Sequence, residues 1–161
     1  QSISNEDEVV PLAREVEYAK GYLTIQKMRY KDKLEFEIDV EPSILNIPLI
    51  KLVLQPIIEN AIYHGLKYKE SKGLLQVKGF MKDGNAVLQV IDNGVGMDEE
   101  TLSHIYDKHK VNYHSNGVGV YNVQKRLKLY YGENYGITYE SEKGVGTTAT
   151  ITIPGIQEES I

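Results

Sequence analysis

The 161-residue chain contains no cysteine and no tryptophan, and only two phenylalanines and five prolines. Without thiols it has neither a disulfide framework nor a thiolate metal site, and a reducing compartment such as the cytoplasm suits that composition. Excess positive charge is missing too: 18 lysines and arginines face 23 aspartates and glutamates, for a formal net charge of −5. That sign excludes a basic field able to hold nucleic acid or an anionic membrane. No apolar run approaches the roughly 20 residues of a membrane span, and no signal-peptide pattern opens the sequence. Any membrane anchor of a parent protein is therefore expected outside this segment. Internal repeats and low-complexity stretches are absent, and the length suits one domain with a real core.

What is present is strongly patterned. Val9, Leu12, Val16, Ala19, Leu23, Gln26 and Tyr30 step by three and four alternately, the seam of a helix packed against another helix. A helical arm is expected over residues 1–32, although a helix lying on its own domain would show the same spacing. Leu34–Val40 alternates apolar and acidic residues and predicts a half-buried strand. Helical spacing then runs over 49–66, with Pro56 expected to bend the helix. Strands over 74–81 and 86–91 flank Lys82-Asp83-Gly84-Asn85, a strong hairpin signal. A short helix is expected over 98–106 with Asp98 as its cap, then a polar loop, a helix over 117–131, and strands over 136–141 and 147–153. This order predicts an α+β fold. It would be a two-layer sandwich in which helices cover one face of a mixed, mostly antiparallel sheet of about five strands. The domain proper is expected over 33–155, with 156–161 as a tail.

Three motifs carry chemistry. In Glu59-Asn60-Ala61-Ile62-Tyr63-His64-Gly65, Asn60 and His64 are four apart and share a helix face. An asparagine oxygen is a neutral, hard donor that can complete the shell of a Mg²⁺ already held by phosphate oxygens. Alone, such an asparagine reads as a surface residue. In Asp92-Asn93-Gly94-Val95-Gly96-Met97, Asp92 has the parity of Leu88 and Val90 in the preceding strand. If that face is the core, the carboxylate needs a donor, and an adenine exocyclic amine would serve. Gly94 and Gly96 would let backbone approach a flat base, while the segment by itself also reads as a hairpin turn. Asn116-Gly117-Val118-Gly119-Val120 opens a helix and so offers free N–H groups to a triphosphate. Gly144-Val145-Gly146-Thr147 leads into the last strand.

Taken together and in this order, the motifs over about 34–154 resemble the ATPase domain shared by histidine kinases, gyrase-type topoisomerases, MutL-type repair proteins and heat-shock chaperones, the Bergerat fold. The stretches 54–65 and 117–127, with Tyr22-Leu23-Thr24-Ile25-Gln26-Lys27-Met28-Arg29-Tyr30 before them, are similar to the LytS/YesM type of sensor histidine kinase. The resemblance implies Asn60 on Mg²⁺, Asp92 on the adenine amine, and Gly94, Gly96 and Met97 along the base. It also implies Asn116, Gly117, Val118, Gly119 and Val120 about the phosphates, Thr147 supporting the adenine side, and Glu59 as a further catalytic candidate beside Asn60. His64 would either contact the nucleotide or merely pack. Arg126 matches the family pattern and reads equally as a solvated helix charge. The 97–117 loop would be a lid, in which Lys108, His109, Lys110 and His114 offer cations or serve only solubility.

On the same likeness the arm is the second helix of a dimerisation and phosphoacceptor region. The parent would be a homodimeric membrane receptor that phosphorylates its own histidine and then serves a response regulator. None of His64, His104, His109 and His114 stands in a Pro-His-Phe-like acceptor box, so the acceptor is expected on another segment. Pro56 occupies the place where gyrase-type ATPases have a water-activating glutamate, which disfavours hydrolysis by that route. A nucleotide-binding module without kinase activity and a gyrase- or chaperone-like ATPase are the alternative readings.

Overall fold

A computed structural model describes residues 8–107 and 119–156. Five strands form the main sheet: β2 (Leu34–Val40), β4 (Gly73–Lys82), β5 (Asn85–Asp92), β6 (Gly136–Glu142) and β7 (Gly146–Pro154), in the spatial order β2-β4-β5-β7-β6. Only the β2–β4 pair is parallel; the rest are antiparallel. The hairpin falls where the Asp-Gly pair predicts it. Asp83 and Gly84 both adopt positive φ (50° and 81°), as a two-residue turn between twisted strands requires.

Helices α1 (Leu12–Tyr30), α2 (Leu54–Asn60) and α4 (Val120–Tyr131) bury their apolar faces in one core with the sheet, while the short α3 (Glu99–Ser103) follows β5. Leu12 and Leu23 from α1, Leu54 and Ile58 from α2, Leu127 from α4, and Leu75, Val77 and Leu88 from the sheet are all essentially inaccessible to water. The expected two-layer sandwich is thus observed. The seam on α1 lies against α2 and β2 of the same domain.

Two element boundaries differ from the sequence reading. Helix α1 starts at Leu12, because Val9–Pro11 is a strand, β1, antiparallel to β3 (Pro48–Ile50). The apolar run from Leu49 therefore begins as a strand, and α2 opens only at Leu54. Pro56 consequently bends nothing. It sits in the first turn, where an N–H has no intrahelical acceptor to lose.

Three side chains that periodicity does not mark tie separate elements together. Glu15 on α1 is 4% exposed, and its Oε1 accepts from the N–H groups of Val53 (2.8 Å) and Leu54 (3.2 Å). It thereby satisfies donors that the start of α2 leaves free. Gln124 on α4 pairs its amide with both backbone groups of Ile137: Oε1 accepts from N–H at 2.7 Å and Nε2 donates to the carbonyl at 3.0 Å. Arg126 is no solvated charge. It donates to the carbonyls of Lys51 and Leu52, in the loop where Leu52 takes a positive φ of 61°.

Candidate functional site

Beyond Asn60 the α2 helix widens into a π-type stretch, Ala61–Leu66, in which the Lys67 N–H bonds to the Ile62 carbonyl five residues back. Such bulges recur at functional sites. Here it carries Gly65 onto the end of β5: the Gly65 carbonyl accepts from Val95 N–H at 2.9 Å. A Cβ on Gly65 would strike the Asp92 carboxylate, and one on Gly94 would collide with the Gly65 carbonyl.

Asp92 follows the parity of Leu88 and Val90, both 2% exposed, and is itself 5% exposed. Its Oδ1 accepts from Gly94 N–H at 2.9 Å. Burial pushes the carboxyl up to about 6, while the backbone N–H groups of Gly94 and Thr147 pull it the other way. Among the described residues no cation pairs with it. Across the β5–β7 ladder Asp92 faces Thr147, whose Oγ1 lies 2.7 Å from Ser141 Oγ. Ser141 also accepts from Met97 N–H at 2.8 Å, so one hydroxyl joins the turn after β5 to the β6–β7 end.

These groups line a cavity of about 390 Å³, within the range of small-ligand sites. Asn60, His64, Asp92, Gly96, Met97, Gly119, Val120 and Thr147 all reach it, from four separate stretches of chain. Gly94 is buried behind the cavity, packed on Gly65, and is not part of its lining. Glu59 is not in the lining either: 9% exposed, it accepts from Gln55 Nε2 at 3.0 Å and lies near Tyr22 of α1. Asn116, Gly117 and Val118, with the lid candidates Lys108, His109, Lys110 and His114, lie outside the described residues.

Tyr139 is a lining residue that sequence reasoning missed. It stands on β6 opposite Ala149 of β7, with its ring edge-on to Tyr106 at 6.0 Å between centroids. Its hydroxyl is enclosed and makes no hydrogen bond among the described residues. Burial pushes the phenol well above its ordinary range, and the Asn60 carboxamide beside it acts in the opposite direction. Tyr106 instead donates to the Ile137 carbonyl at 2.8 Å. Alternation in Ile137, Tyr139, Ser141 was the available signal, since it places all three on one face of the strand.

The lining fits a purine nucleotide: a buried carboxylate for an amine, apolar walls from Ile57, Val90 and Ala149, and Gly119 at the N-terminus of α4 with no described residue within 4 Å of where a Cβ would stand. For a divalent ion the fit is narrower. Among the described residues no cluster of three or more His, Asp or Glu could hold one. An ion here would rest mainly on phosphate oxygens, with Asn60 as the protein's donor.

Residues 46–157 match the family described as histidine kinase-, DNA gyrase B- and HSP90-like ATPase. The chain belongs to that family. It is 31% identical to the sensor histidine kinase YesM of Bacillus subtilis over 95% of its own length and 25% of that protein's. It is 35% identical to the sensor protein LytS of Oceanobacillus iheyensis over 80% of its length and 22% of that protein's. The chain thus spans about a quarter of the curated relatives it matches. Among solved structures it is similar to the catalytic domain of histidine kinase ThkA, with a TM-score of 0.69 at 14% identity over 92% of this chain and 98% of that one. It is also similar to ThkA crystallised with the response regulator protein TrrA, with a TM-score of 0.66 at 16% identity over 92% and 42% of the two chains. Both likenesses concern the fold. Among the described residues, no helix is long and apolar enough to cross a membrane.

Proposed function

We propose that this chain is the nucleotide-binding catalytic part of a two-component sensor histidine kinase, taking Mg·ATP into the cavity between α2, α4 and the sheet. The observation that carries the reading is Asp92, an enclosed carboxylate with backbone donors but no cation among the described residues, at a cavity walled by apolar side chains. A desolvated anion in that setting asks for a ligand donor. Asp92 holds the adenine amine, Thr147 and Ser141 fix the adjoining turn, and Met97 and Gly96 flank the base. Asn60 is the protein ligand of the Mg²⁺. His64, Gly119 and Val120 face the phosphates.

When bound, Mg·ATP supplies the γ-phosphoryl group, which passes to a histidine nitrogen as ADP leaves. The chain's own part is positioning and charge neutralisation, the terms that dominate phosphoryl transfer. Glu59 is turned towards α1 and would have to rotate to act in the cavity. The acceptor histidine belongs to the phosphoacceptor helix of the parent kinase, a homodimer in the cell membrane with this part in the cytoplasm. A response regulator then takes the phosphoryl group; that pairing is supported by the complex of ThkA with TrrA.

Titration with a fluorescent adenine nucleotide, with and without Mg²⁺, tests the binding half. Mixing the chain with the parent's phosphoacceptor helix and labelled ATP tests the chemistry and is expected to yield an acid-labile, base-stable phosphoprotein. Nucleotide binding with no such product leaves a binding module; no binding at millimolar nucleotide removes the reading altogether.

A further inference from the structure

The Tyr139 hydroxyl is an enclosed polar atom with no hydrogen bond among the described residues, although it sits in the wall of an otherwise well-satisfied cavity. Its ring is held in place: Tyr106 packs edge-on against it, and β6 is paired with β7 on one side and tied to Gln124 on the other. The phenol therefore cannot swing freely to find a partner. Asn60 approaches from the opposite layer of the sandwich and lines the same cavity. The carboxamide stands near enough to act on the hydroxyl as a hydrogen-bonding neighbour, although no bond of full geometry forms between them.

A carboxamide has two ends of opposite character, and an ion needs only one of them. A metal takes the oxygen, leaving the NH₂ to point away, where an oxygen with free lone pairs must receive it. Tyr139 Oη is that oxygen. We infer that Tyr139 is a positioning residue: its hydroxyl accepts from Asn60 Nδ2 and so directs Asn60 Oδ1 to the divalent ion. Outer-shell partners of this kind tune metal affinity without touching the metal. The inference rests on the Mg·ATP reading above and deepens it, because it separates metal-dependent affinity from affinity for the base.

The test is a thermodynamic cycle on the intact chain with Y139F, N60A and the double variant, using ADP titrations in EDTA and in Mg²⁺. Phenylalanine keeps the ring and its packing, and thermal unfolding of the ligand-free proteins checks that. Tyr139→Phe is expected to reduce the Mg²⁺-dependent gain about 2- to 10-fold, the worth of one hydrogen bond, and to lower affinity in EDTA by less. In the Asn60→Ala background it should have no further effect. Ligand-free Y139F should melt at or above the wild-type temperature, since it removes an unpaired buried hydroxyl, yet show a smaller rise in Tm with Mg·ADP.

Equal losses from Y139F with and without Asn60, or equal losses in EDTA and Mg²⁺, overturn the inference and leave the tyrosine as a packing residue. If N60A itself retains the full Mg²⁺ gain, the metal assignment of Asn60 fails and the inference falls with it. A wild-type chain that binds no nucleotide removes the underlying reading instead.

Discussion

Asp92 answers to opposing demands of stability and binding. Its folded pKa of about 6 lies above the ordinary 3.8, so the native state holds the proton more tightly than the unfolded chain does. The stability tied to that proton is fully present below about pH 4 and is lost as pH rises through about 6, to a total of roughly 3 kcal/mol. Asp92→Asn is therefore expected to stabilise the ligand-free protein by about 1–3 kcal/mol near neutrality, with the gap closing towards pH 4. Urea unfolding across that range reads it, and a gap independent of pH would remove burial as its source. Binding should move the other way: D92N and D92A lose roughly 1–3 kcal/mol of ATP affinity and part of their discrimination against GTP. Wild-type affinity should weaken as pH falls below about 6, where protonation occupies the acceptor. The parity of Asp92 with Leu88 and Val90 made its burial legible in the sequence. The use of the glycines was not legible, because it depends on non-local backbone approaches. Gly94 meets the Gly65 carbonyl, Gly96 the Glu142 carbonyl, and Gly146 the Asp92 carbonyl, so these residues serve the protein's own packing whatever they do for a base. Gly94→Ala is expected to cost roughly 1–3 kcal/mol in urea unfolding before any nucleotide is added.

Helix α2 is short, yet it presents Asn60, and its start is secured from outside. Glu15 supplies the acceptor for Val53 and Leu54, and Arg126 holds the two carbonyls just before them. Glu15→Ala should destabilise the protein by about 1–3 kcal/mol because two buried N–H groups lose their acceptor. Glu15→Gln, which keeps a carbonyl oxygen, should cost less; chemical denaturation of the two variants separates them. Periodicity reveals which residues face inward and which element they belong to, and on that basis seven of the expected elements stand close to where they were placed: the strands around 34–40, 74–81, 86–91, 136–141 and 147–153, and the helices capped by Asp98 and ended by Gly132. It cannot reveal that Val9 and Val10 pair with Ile50 and Leu49, since two short strands separated by a 19-residue helix and a further strand leave no local trace. For the same reason the helical spacing beginning at Leu49 concealed a strand, and only the position tolerated by Pro56 marked where helix begins.

Across the whole molecule, α1 shares its core with the sheet: Leu12, Ala19 and Leu23 are completely buried among residues of α2 and the strands. We propose that residues 1–32 fold with 33–155 as one cooperative unit, even if the helix also serves a parent's dimerisation region. Calorimetry should then give one transition whose calorimetric and van't Hoff enthalpies agree, whereas an independent arm would give two. Deleting 1–32 should abolish cooperative unfolding. The fold class and layer order were legible from element order and alternation, because a sheet with one buried face admits few arrangements. The packing of α1 was not, because a seam of threes and fours looks alike whether it meets a partner chain or its own domain. The pairing of Gln124 with Ile137 has a consequence beyond anchoring α4. β6 is the last strand on its side of the sheet, and an unoccupied rim invites another chain to add a strand. A side-chain amide fills both outward-facing backbone positions at Ile137 and mimics the missing neighbour, so Gln124→Leu should expose that rim and promote self-association, read as oligomers by light scattering and as fibrils by dye binding.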